Sequence, residues 1–293
     1  MLSARSTEVI VIGAVFLVIT LVSVAMRCCV RTKIVHKTGY DDALLITAAA
    51  FNIGFFATGT VAVSYGLGSK SSVPDAESKD GSKALLCWWV TQLLSVTTLT
   101  VARLSISATL LQVIINTKYR LVLYSVVSLS TLTGLSVIFF TIFRCHPIDA
   151  YWKSKSFGDD CASEGASLGI WCLFSATAAL SDLTLAILPV ITISQLQMRI
   201  STKLALGVIL GFGCLATAAV IARLPLISAY KANEILHQSA VVEILTFVES
   251  SMVITAGGIL LIRPALRVFR RDRYIRDDNS EHRILSSTRQ EVS

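Results

Sequence analysis

Five ionisable residues stand inside long apolar runs of this chain: Arg103, Asp182, Arg223, Glu243 and Glu249. A charge in hydrocarbon costs about 2.5–3.5 kcal/mol on insertion scales, so each one needs a counter-charge or a polar cavity. Two kinds of chemistry follow. The groups tie segments together as ion pairs, or they line a pocket and recognise a polar or charged ligand. Counting helical residues at about 1.5 Å each from Asn116, Gln195 and Arg263 puts Arg103, Asp182 and Glu249 at one level, roughly 20 Å from the near face. The same count from Lys203 and Arg263 puts Arg223 and Glu243 roughly 30 Å up. Signs are complementary at both levels. The expectation is an inner pair of Arg103 with Asp182, with Glu249 as a further candidate, and an outer pair of Arg223 with Glu243. Pro189 and Pro225 each free a backbone carbonyl and offer polar room beside the two levels.

Catalytic patterns are missing. The sequence has no His, Cys and Glu at metal-ligand spacing, no Gly-x-Ser-x-Gly and no phosphate-binding glycine loop. The expectation is a protein that is not an enzyme and holds no metal.

The elements that position these charges are set by composition. The chain has 293 residues, 54% of them hydrophobic and only 15% charged, with a mean hydropathy of +0.69. A soluble domain needs more surface charge than this. The apolar residues gather in seven blocks of bilayer-spanning length, residues 9–26, 43–65, 84–115, 121–143, 167–193, 204–229 and 241–262. Only helices satisfy every backbone group across such lengths of lipid, so the expected fold is an all-α, seven-transmembrane helix bundle. Residues 1–8 precede it, residues 9–269 form the bundle, and residues 270–293 are a polar, basic tail expected to be disordered. "TGYDDALLI" puts Asp41 and Asp42 at the start of the second span, where carboxylates cap free N–H groups and meet the positive helix end. Gly257 and Gly258 in the last span, like Gly207 and Gly211, read as close helix contacts.

Basic residues are distributed unevenly. Sixteen lie in the connections and tail on one side of the bundle, including Arg27, Arg31, Lys33 and Lys37 after the first span, against eight on the other. The positive-inside rule then puts the N-terminus outside and the C-terminal tail in the cytosol. Attraction to anionic inner-leaflet lipid accounts for the basic tail, so no nucleic-acid partner is expected. Three of the seven cysteines, Cys87, Cys145 and Cys161, fall on the outer side, where a disulfide can persist. Pairing Cys145 with Cys161 closes a short loop and is worth about 3 kcal/mol in the chain-entropy model. The alternative pairs Cys87 with the same loop.

Five stretches, taken in order, resemble one family. They are "GYDDALLI", "ARLSI", "FRCHPIDAYWKSKSFGDDC", "SDLTLAILPVITISQLQM" and "ARLPLI", followed by Glu249 in the last span. Together they resemble the fungal rhodopsin-domain seven-transmembrane family, which includes surface-sensing receptors and membrane proteins of toxin biosynthesis clusters. The likeness covers about residues 9–269. Two departures stand out: Arg103 occupies the position where the family usually has lysine, and only eight residues precede the first span, where surface-sensing members carry a cysteine-rich domain. Retinal is not expected as a cofactor, because its Schiff base needs a lysine in the last helix and no span contains one. The resemblance implies an integral multi-pass protein of the plasma membrane or an endomembrane. One expectation is a receptor-like protein that binds a small-molecule or protein ligand without chemistry and engages a cytosolic signalling partner. The alternative is an accessory membrane protein of a secondary-metabolite cluster, in transport or pathway organisation.

Overall fold

A computed structural model describes residues 4–32, 39–65, 79–114, 116–149, 151, 161–194 and 242–259. Six helices run through them: α1 (Ala4–Val30), α2 (Tyr40–Ser64), α3 (Lys79–Val113), α4 (Thr117–Phe143), α5 (Glu164–Ser194) and α6 (Val242–Ile259). Each contains a segment long and apolar enough to cross a bilayer. The protein is therefore an all-helical, multi-pass membrane protein. The expected span 204–229 lies outside the described residues, and with it Arg223, Pro225, Gly207 and Gly211. So do residues 66–78 between α2 and α3 and the 270–293 tail.

Lipid replaces water as the solvent for these helices, and their surfaces follow from that. Val15, Val18 and Val22 of α1 and Leu121, Leu132 and Phe139 of α4 point outward. Many hydroxyls satisfy themselves on their own helix, as Thr98 does on the Leu94 carbonyl (2.7 Å) and Thr100 on that of Val96 (2.8 Å). α3 is the central post, packing against α2, α4 and α5. The apolar core joins Val24 of α1, Leu45 of α2, Ile106 and Leu110 of α3, Leu185 of α5 and Ile254 of α6. The two adjacent glycines of α6 let it close on its neighbours. A methyl at Gly258 would collide with Ser23 of α1, and one at Gly257 would lie 2.9 Å from Ile106 of α3.

On the other side of α3, Thr133 of α4 meets Thr177 of α5 (3.1 Å), and Trp89 Nε1 donates to the Thr141 carbonyl of α4 (3.0 Å). The α4–α5 connection is clamped at its ends by a disulfide between Cys145 and Cys161, beside which the Ala162 N–H donates to the Arg144 carbonyl (2.7 Å). Cys87 keeps its thiol, which removes the alternative pairing. Tyr151, buried within the same loop, receives the Arg144 guanidinium 5.8 Å from its ring centre. Replacing Cys145 by Ser is expected to lower stability by about 3 kcal/mol. Thermal unfolding of the variant and of dithiothreitol-treated wild type in detergent should give matching losses.

Candidate functional site

Arg103 projects from the middle of α3 and meets two carboxylates from two other helices. Its Nε donates to Asp182 Oδ1 of α5 (2.9 Å), and its Nη2 donates both to Asp182 Oδ2 (3.1 Å) and to Glu249 Oε1 of α6 (2.9 Å). All three side chains are at most 3% exposed. The fork geometry of guanidinium suits this: two parallel bonds to one carboxylate leave an edge for another. Nη1 has no acceptor among the described residues. Asp182 thus has a defined role, since both its oxygens accept from Arg103. α5 continues through Pro189 to Ser194, so the proline lies about two turns from the carboxylate, not beside it.

The triad is one half of a layer that crosses the bundle. Glu249 is followed by Ser250 and Ser251, which face α2 and α1 on the same turn of α6. Ser250 Oγ donates to Asn52 Oδ1 (2.8 Å), and Asn52 Nδ2 donates to Ser251 Oγ (3.4 Å). Thr20 of α1 reaches the Ser251 carbonyl (3.4 Å). A polar line therefore runs from α1 through α2 and α6 to α3 and α5, fully buried. Asn52, Ser250 and Ser251 were not singled out from sequence. The signal available was a lone asparagine in one apolar span and three consecutive polar residues in another.

A second layer lies about six to eight residues along α3 and α6, roughly 10 Å away. Arg27 of α1 donates through Nε to Asp42 Oδ1 (2.8 Å) and through Nη2 to Asp41 Oδ2 (2.6 Å). Its Nη1 donates to the Gly257 carbonyl of α6 (2.6 Å), and Nη2 also reaches Thr109 Oγ1 of α3 (3.0 Å). Arg31 adds pairs to Asp41 (2.8 Å) and Asp42 (2.9 Å). Thr109 and Gln112 of α3 donate to Asp41, and Ser105 donates to the Asp41 backbone carbonyl. Arg27 and Asp41 are almost wholly sealed. Asp42 does serve the helix start, accepting from the Gly39 N–H (3.4 Å). Capping is its lesser part. Arg27 and Arg31, counted from sequence among the basic residues of the connection after the first span, both turn inward. Their spacing of four residues, which puts them on one helix face opposite a short connection to two acids, carried that information.

Residues 26–268 match the family described as Fungal rhodopsin domain, from Met26 beside this lattice to beyond the end of α6. The chain belongs to the fungal rhodopsin-domain family. Apart from Thr20, both polar layers lie within the domain. The chain is also similar to "Wortmanamides biosynthesis cluster protein C" of Talaromyces wortmannii, 26% identical over 203 residues. That match covers 68% of this chain and 54% of the other, so the chain spans about half the length of this relative. No solved structure matches.

Glu243 of α6 stands apart from both layers of this fungal rhodopsin domain. It lies six residues beyond Glu249, about 9 Å along the helix and on a different face. Arg223 lies outside the described residues, and Glu243 makes no ion pair or hydrogen bond among those that are described. Its Oε1 packs against Gly59 of α2.

Arg27 provides the sharpest mutational expectation. Arg27→Ala leaves Asp41 and Asp42 with Arg31 as their remaining guanidinium, removes the donor to the Gly257 carbonyl and is expected to cost about 1–3 kcal/mol. Arg27→Lys should recover only part, since one ammonium cannot reproduce a fork that serves acceptors on α2, α3 and α6. Lys118→Ala, at an exposed position, should stay within about 0.5 kcal/mol of wild type. Chemical unfolding in mixed micelles measures all three.

Proposed function

We propose that this protein is a receptor-like member of its family, which binds a small-molecule or protein ligand without catalysis and passes the change to a cytosolic partner. The proposal includes seven spans, an outside N-terminus, a cytosolic tail, residence in the plasma membrane and no retinal. One observation carries it: a single nitrogen, Arg103 Nη2, is shared between carboxylates on α5 and α6. Helix shifts of about 1–2 Å, typical of switching bundles, cannot preserve both bonds. Relative movement of α5 and α6 is thereby coupled to which acid holds the arginine, giving the bundle an element with two discrete arrangements.

A second reading is favoured by the printed name of the Talaromyces wortmannii relative, a biosynthesis cluster protein. In it, the chain is an accessory membrane protein of a secondary-metabolite pathway, in transport or in organising enzymes.

Replacing the gene in the parent cell by an Asp182→Asn version separates the two. The receptor reading predicts that this variant reproduces the transcriptional defect of a full deletion while membrane abundance stays normal. A deletion that alters the titre or export of one metabolite, with transcripts unchanged, would favour the accessory reading instead.

A further inference from the structure

Asn52 sits in the middle of α2 and is wholly buried, as are Glu249 and Ser250 of α6. An amide in such surroundings is costly unless its donor and acceptor are used. Asn52 directs both at one place on α6. Its Oδ1 accepts from Ser250 Oγ (2.8 Å), and its Nδ2 donates to Ser251 Oγ (3.4 Å). Ser250 does not need the asparagine for this. Its hydroxyl also lies 2.9 Å from the Phe247 carbonyl, the own-helix acceptor that Thr98 and Thr100 use on α3. Satisfying the serine therefore does not account for Asn52.

Helix geometry gives the bracket a different consequence. Successive residues point about 100° apart around an α-helix. One amide that holds two consecutive residues leaves α6 little freedom to turn about its axis, and Thr20 of α1 adds a bond to the Ser251 carbonyl (3.4 Å). Glu249, the residue before them, is thereby aimed about 100° to the side of Ser250, where its Oε1 meets Arg103 Nη2 of α3 (2.9 Å). A side-chain tip lies about 5–6 Å from the helix axis, so a turn of about 30° would carry it about 3 Å and break that bond. The reference for the angle is α2, whose start is held by Arg27 and Arg31 through Asp41 and Asp42.

We infer that Asn52 is a positioning residue for the Arg103–Glu249 bond: by gripping Ser250 and Ser251 it sets the rotation of α6 at which Glu249 reaches the guanidinium. Asn52 acts through α6 and not on Arg103 itself. A second step rests on the receptor-like reading. When α6 turns, the Asn52 bonds and the Glu249 bond break in one event, so release of Arg103 by α6 is all-or-none.

The test is side-chain ¹⁵N magnetic resonance of the full-length, arginine-labelled protein in phosphatidylcholine nanodiscs, with the Arg103 signals assigned by their loss in Arg103→Met. Glu249→Gln marks where the Arg103 Nη signal lies when the Glu249 charge is gone. Asn52→Leu is expected to move that signal most of the way to the same position, while Nε, bonded to Asp182, holds still. Should Asn52→Leu fail to fold, the triple variant Asn52→Leu, Ser250→Ala, Ser251→Ala is measured in its place. It removes donors and acceptors together and leaves no polar group stranded, which is nearly neutral for stability. An Nη signal that stays at its wild-type position would overturn the inference, as would Nε and Nη moving alike, the mark of general loosening. So would a Glu249→Gln spectrum identical to wild type, since there would be no bond to position. None of these spectra bears on the cellular effect of Asp182→Asn, so the inference and the receptor-like reading fail separately.

Discussion

A guanidinium buried in a membrane bundle has no water to turn to, and every other feature of this interior is arranged around that constraint. Arg103 and Arg27 are both sealed, both planar, and both too long to be served by one acceptor. Each therefore recruits groups from several helices at once. Arg103 draws in α5 and α6, while Arg27 draws in α2, α3 and α6. Packing of Leu, Ile and Val fills the space between them but specifies little, because lipid tails are as apolar as those side chains. The bonds to arginine have direction and count, so they fix which helix faces which.

The two layers differ in what they permit. Around Arg27 the acceptors are redundant: Arg31 holds both acids as well, and Thr109 and Gln112 support Asp41 from α3. Loss of one bond there leaves others, which describes an anchor. Around Arg103 the partners are fewer, one carboxylate from α5 and one from α6. α6 presents the Gly257 carbonyl to the anchor and Glu249 to Arg103, with Ser250 and Ser251 facing Asn52. One helix thus takes part in both buried arginine layers.

Much of this was legible before any coordinates. Long apolar blocks can only be helices in lipid, and the described helices fall on six of the seven expected blocks. Depth counting placed Arg103, Asp182 and Glu249 at one level because helical rise is constant, and the structure brings those three together. The short loop between Cys145 and Cys161 favoured the pairing that the structure shows over the alternative with Cys87. The anchor around Arg27 was hidden for a different reason. Arginines after an apolar run normally face headgroups, and paired aspartates at a helix start normally cap it, so each half had a sufficient local explanation. Only their meeting across α1 and α2 makes them a buried lattice. The Asn52–Ser250–Ser251 contacts were hidden because small polar residues are common in membrane helices and mostly bond to their own backbone.

The central claim is that Arg103 and Asp182 are bonded partners whose energies are inseparable. A double-mutant cycle of Arg103→Met and Asp182→Leu, followed by chemical unfolding in mixed micelles, tests it most directly. In the wild-type background Asp182→Leu should cost about 3–5 kcal/mol, because it leaves a buried guanidinium short of an acceptor. In the Arg103→Met background the same change should cost nothing or add stability. An equal loss in both backgrounds would mean that the two residues act independently, and the account of this bundle would be wrong.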